Sequence, residues 1–93
     1  MRGSGAHYIA EVRVSAAVGD KISAKHHVTE AEVREALVLT RLNRAGWHHD
    51  AEKGWRLLVT GTTYAGRSLN AVLYPADEQD GVWWLGTAMW AAR

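Results

Sequence analysis

Arg67 is the side chain in this sequence best placed to hold a phosphate. It follows Gly66, a residue free to take positive φ in a turn, and it opens an alternating segment that begins at Ser68. A guanidinium is a bidentate donor, and a strand end holds it on a rigid base. A solvated hairpin charge is the alternative role for Arg67. A second cationic group lies at Lys25-His26-His27, an exposed basic corner between two helical segments. There Lys25 can stabilise anionic charge, and His26 can move protons near neutral pH or simply pack between helix and sheet. Tyr64 stands at the tip of the same turn as Arg67, where its ring can stack on a base or cover the hairpin. Arg56 and Arg93 are further cations available to an anionic ligand. His48-His49-Asp50 offers metal-binding atoms, but neighbouring side chains of an extended segment point apart, so no metal site is expected. The chain has no Cys, which excludes thiolate and disulfide chemistry. No cofactor is expected.

These residues need elements to position them. Thr29 is a good N-cap, Glu32 completes a capping box, and Val28 and Val33 occupy the positions of a hydrophobic staple. The pattern predicts a helix from Glu30 to Leu42 with Val33, Ala36 and Leu37 on its apolar face. Before it, Asp20 is read as the cap of a short helix over Lys21 to His26, closed by His27 in the left-handed region. Alternation from His7 to Val14 predicts a first strand. Asn43 to Gly54 reads as a polar loop. Trp55 to Thr63 and Ser68 to Tyr74 read as a hairpin around Tyr64 to Arg67, the second strand ended by Pro75. Val82 to Ala91 is the last strand. The expected order is β-α-α-β-β-β, an α+β fold with an antiparallel sheet and the helices on one face. In the Trp83-Trp84 pair one indole is expected in the core and the other facing a helix or a partner. A domain this small is not expected to bury every Trp, so Trp83, Trp84 and Trp90 are candidates for partner binding through the last strand or an adjacent sheet edge.

Composition bounds the rest. A chain of 93 residues with 47% apolar residues supports one modest core. Met1 to Gly5 resembles a disordered start, so residues 1–6 are set apart from a single domain over 7–93. No apolar run approaches the roughly 18 residues that a membrane span needs, and no signal peptide is recognisable, so the cytoplasm is the expected location. Net charge is +1, which gives no global electrostatic reason for nucleic-acid binding.

The order of segments resembles the RelE/ParE superfamily of small bacterial toxins, and within it the BrnT-like branch. That branch carries Lys-His-Gly-Val before its second helix, here Lys25-His26-His27-Val28, followed by a Glu-rich helix start, here Thr29-Glu30-Ala31-Glu32-Val33. Its central hairpin has Gly-x-Thr…Gly-Arg-x-Leu, here Gly61-Thr62-Thr63-Tyr64-Ala65-Gly66-Arg67-Ser68-Leu69. Its last strand commonly ends Ser/Thr-Ala-Arg; this chain has Thr87-Ala88-Met89. The resemblance implies a RelE-like fold and a type II toxin that cleaves mRNA without a metal and so inhibits translation. Arg67, Lys25 and His26 would then be catalytic, and Arg56, Tyr64 and Arg93 would bind RNA. Met89 stands where the branch often has an Arg near the cutting site, and a thioether cannot hold a phosphate. The resemblance also implies an antitoxin partner, in a hetero-oligomer or beside a homodimer. Two alternatives share the fold. One is a non-catalytic protein-interaction module, for which Met89 and the low net charge argue. The other is a ParE-like gyrase inhibitor.

Overall fold

Thr29 starts the helix around which the fold is organised. In the computed structural model, which describes residues 4–5, 8–40 and 43–92, helix α2 (Glu30–Leu37) follows helix α1 (Ala16–His26) after a short corner. The Thr29 hydroxyl accepts from the Glu32 N–H at 3.1 Å, and the Glu32 carboxylate accepts from the Thr29 N–H at 3.0 Å, so the capping box is complete. Val28 and Val33 are fully buried at the staple positions. Thr29→Ala should therefore cost about 1 kcal/mol, read as a lower urea midpoint at unchanged slope. A loss below a few tenths would contradict the box. The corner itself is made by His27, which takes φ 55° and donates its N–H to the carbonyls of Ile22 and Ser23.

Six strands form one sheet: β1 (Ser4–Gly5), β2 (Glu11–Arg13), β3 (Arg44–Asp50), β4 (Gly54–Thr62), β5 (Ser68–Asp77) and β6 (Val82–Trp90). Their order is β1-β3-β4-β5-β6-β2. β3 to β6 form an antiparallel meander, while β2 runs parallel to β6, so the sheet is mixed rather than antiparallel. The fold is α+β, as expected. Both helices pack on one face, α1 over β6 and α2 over β4 and β5. Ile22, Val33, Ala36 and Leu37 meet Leu57, Val59, Leu69, Leu73, Trp83 and Leu85 there to form the core. Among the described residues no helix is long and apolar enough to cross a membrane.

Several boundaries differ from the sequence-based expectation, each for a tertiary reason. α1 begins at Ala16 with Ser15 as its N-cap, not at Asp20; Gly19 lies inside the helix, beside the carboxylate of Glu30. α2 ends at Leu37 rather than Leu42, because Leu39 takes φ 52° and donates its N–H to Ile9. The strand expected over His7 to Val14 is β2, confined to Glu11–Arg13 among the described residues, where β6 offers a partner, and Ser4–Gly5, expected to lie outside the domain, pairs with β3 as β1. The expected loop from Asn43 to Gly54 is mostly the strand β3, paired with β4 over its whole length. Pro75 does not end β5, which runs to Asp77; it sits beside a register irregularity, where a missing N–H costs little.

Candidate binding face

The uncovered face of the sheet is built by alternation. Residues between the core positions point away from the helices, and the strand register aligns them into rows. Arg44, Thr60, Asn70 and Met89 are successive cross-strand partners from β3 to β6, and Gly46, Leu58, Val72 and Thr87 form the next row. Between these rows lies a trench of about 320 Å³ lined by Leu58, Thr60, Asn70, Val72, Thr87 and Met89 among others. Leu58 and Met89, on opposite outer strands of this hollow, are each 40% exposed, large for apolar side chains. The Thr60 hydroxyl and Asn70 carbonyl are paired at 2.7 Å across the strands, so the polar residues of the floor satisfy one another. A bulge in β6 adjoins the trench. Gly86 is the extra residue of β6 where the register with β5 shifts, and a Cβ there would come within 2.5 Å of the Tyr74 ring. The glycine lets Tyr74 lie against the strand, next to the trench residue Thr87.

Charge is distributed unevenly around this face. Trp84, 43% exposed, carries the Arg13 guanidinium 6.0 Å from its ring, but Arg13 is paired with Glu11 at 2.7 Å. At the β3 edge stand Arg44 and the cross-strand pair His48 and Arg56. The Arg56 Nε is buried without a hydrogen-bond partner among the described residues. Nearby Asp50 accepts from the N–H groups of Lys53 at 2.9 Å and Glu52 at 2.8 Å, which closes the β3–β4 turn. These two bonds, Lys53 first, hold its carboxyl below the usual value of 3.8, with the Arg56 charge adding to them. A depressed folded pKa stabilises the turn above the unfolded value and stops doing so as pH falls through the folded one. The amide shifts of Glu52 and Lys53 should therefore titrate with a midpoint below 3.8; a midpoint at or above it would contradict this turn.

The residues expected to cleave RNA lie elsewhere. Arg67 stands at the opposite end of β4 from Arg56, about 20 Å away along the strand at roughly 3.3 Å per residue. Its guanidinium carbon lies 3.7 Å from the centroid of the Trp90 ring. Beside them is a polar hollow of about 270 Å³ lined by Gly66, Arg67, Ser68, Trp90, Ala91 and Ala92. Gly66 takes φ 86°, as a turn glycine should. Tyr64 is 88% exposed at the hairpin tip, with its N–H held by Glu35. Lys25 and His26 are in the last turn of α1, and neither lines the Arg67 hollow. The structure thus joins Arg67 to Trp90 and separates it from Arg56. Arg93 lies outside the described residues. Of the three indoles singled out, Trp83 is buried, Trp84 is exposed on the open face and Trp90 is half-buried under Arg67. His48 and His49 point to opposite faces, His49 against Trp55, and no group of three metal-binding side chains forms among the described residues.

Compared with known proteins, the chain matches no family model, no curated protein and no solved structure. The trench residues Leu58, Val72 and Met89 are the functional candidates that sequence reasoning missed. The alternation of β5 already put Val72 and Tyr74 opposite Leu69; what was missing was the register that lines Val72 up with Leu58 and Thr87.

Proposed function

We propose that this domain is a protein-interaction module of RelE-like fold whose open sheet face, not a catalytic cluster, is its working surface. In this reading the expected β-α-α-β-β-β order corresponds to β2, α1, α2, β4, β5 and β6, and β1 and β3 are added strands at one edge of the sheet. One observation carries it: Met89, at the position where the resembling toxins often have an Arg, sits in an apolar trench with Leu58 and Val72. A thioether floor excludes a phosphate and suits apolar side chains, and an exposed apolar surface of this kind marks an interaction site. In a type II toxin–antitoxin pair the occupant would be the antitoxin; a gyrase-binding domain would use a protein contact too.

The endoribonuclease is the second reading, and the Arg67–Trp90 stack favours it. A guanidinium held flat on an indole at a rigid hairpin end is an anion site beside a surface for a base. Among the described residues the hollow it faces carries no general acid or base of its own. Lys25 or His26 would have to reach it from α1.

Co-expression with the product of the adjacent reading frame separates the two. The module reading predicts co-purification, a complex at least ~10-fold weaker with Leu58→Asp, and no change with Arg67→Ala. Leu58→Asp should leave the circular dichroism spectrum intact, because that side chain is not in the core. Purified protein that cuts RNA, and loses 10²-fold or more of that rate with Arg67→Ala, would establish the second reading instead.

A further inference from the structure

We infer that the trench on the open sheet face receives a short amphipathic helix with acidic residues at the end that lies over β3. The inference rests on the module reading above and names the occupant's chemistry.

The first argument is about backbone hydrogen bonds. A sheet edge offers N–H and C=O groups to an added strand, but a sheet face offers only side chains. An extended segment pressed into the trench would bury peptide groups with no partners, a cost of several kcal/mol spread over its length. A helix arrives with its peptide groups already paired and presents only side chains. The second argument is dimensional. The trench crosses the strands from β4 through β5 to β6, from Leu58 and Thr60 to Thr87 and Met89. Strands are spaced ~4.8 Å apart, so its outer strands are ~10 Å apart, and one helix face rises ~10.5 Å from position i to i+7. Two or three apolar side chains at i, i+4 and i+7 fill it.

The third argument is electrostatic. At the β2 side Arg13, beside Trp84, is neutralised by Glu11. At the β3 side Arg44 ends one trench row and Arg56 lies two residues before Leu58 on the same face. Asp50 and Glu52 are the carboxylates of the turn at that end, beside Lys53, and the Asp50 Oδ1 is committed to the turn N–H groups. Arg44 is exposed and Arg56 partly so, and a partner carboxylate at that end would meet their guanidinium groups in charge-assisted bonds, which are the strong ones.

The test uses the full chain and three synthetic helix-stabilised peptides with the same apolar residues at i, i+4 and i+7. One carries Glu at one end, one carries Lys there, and one carries a central Pro. Binding is read by indole fluorescence and by amide shifts of the isotope-labelled chain. The Glu peptide should shift Leu58, Val72 and Met89 and bind at least ~10-fold more tightly than the Lys peptide, the size of one desolvated charge pair. Arg56→Ala and Arg44→Ala should remove most of that difference, and the Pro peptide should not bind. Equal affinity for the Glu and Lys peptides, binding of the Pro peptide, shifts confined to the Arg67 hollow, or self-association of the chain over that face would each overturn the inference. The module reading fails separately. If the co-expressed partner still binds Leu58→Asp at full strength, the face is not the working surface; if it needs Leu58 but ignores Arg44 and Arg56, only the acidic helix is wrong.

Discussion

Gly61→Ala should destabilise the domain by about 3 kcal/mol or more, the upper end of what overpacking does. β4 and α2 touch backbone to backbone at this point. A Cβ on Gly61 would lie 2.2 Å from the Ala36 carbonyl oxygen and 2.8 Å from its carbon, with the Leu37 side chain at 3.0 Å. A flexible side chain could turn away, but a helix carbonyl cannot. α2 is fixed at one end by the Thr29 capping box and just past the other by the Leu39 N–H bound to Ile9. The helix must therefore lift as a unit, opening the contacts of Val33, Ala36 and Leu37 with the sheet. Against total stabilities of about 5–15 kcal/mol, that loss is a large share of what holds the domain folded. Gly54→Ala is the control: its φ is 78° but nothing lies near its Cβ, so only a strain of roughly 1–2 kcal/mol is expected. Urea melts giving both variants the same midpoint would contradict the close approach.

Trp83→Ala should cost about 3–5 kcal/mol. Trp83 is 1% exposed, its ring lies 5.7 Å from that of Trp47, and its Nε1–H donates to the Tyr8 carbonyl at 3.1 Å. It also sits on β6 beside Val12 of β2, the parallel pairing that brings the N-terminal segment into the sheet. Truncation removes the largest side chain of the core and leaves the Tyr8 carbonyl without its donor. Trp83→Phe keeps much of the packing and loses only that bond, so it should cost distinctly less. A Trp83→Ala loss under about 1 kcal/mol would mean that the indole is not a core residue.

What the sequence shows well is what depends on near neighbours. The Thr29-Glu32 box and His27 in the left-handed corner are settled within a few residues, and so is the hairpin turn at Gly66; each is present in the structure. What it hides depends on distant pairing. Arg44 to Asp50 turns only Ala45 and Trp47 inward, with a Gly between them, so no apolar alternation marks it as a strand; the ladder with β4 makes it one. Gly19 reads as a break by local propensity, yet helix packing against Glu30 carries the chain through it. The candidate site shows the same division. Arg67 is conspicuous by its place after Gly66, and its stack on Trp90 needs only the neighbouring strand end. The trench is invisible in the sequence, because Leu58, Val72 and Met89 meet only through the register of three strands, including the bulge at Gly86.

The central claim is that the open sheet face is where this domain works, and hydrogen exchange on its partner complex tests it most directly. Exchange of the chain alone and of the co-purified complex should differ at β4, β5 and β6 around Leu58, Val72, Thr87 and Met89, with added protection there. The Arg67–Trp90 hairpin end should exchange at the same rate in both. Added protection at the Gly66 to Ser68 turn and Ala91, with the trench strands unchanged, would contradict the account and move the working surface to Arg67.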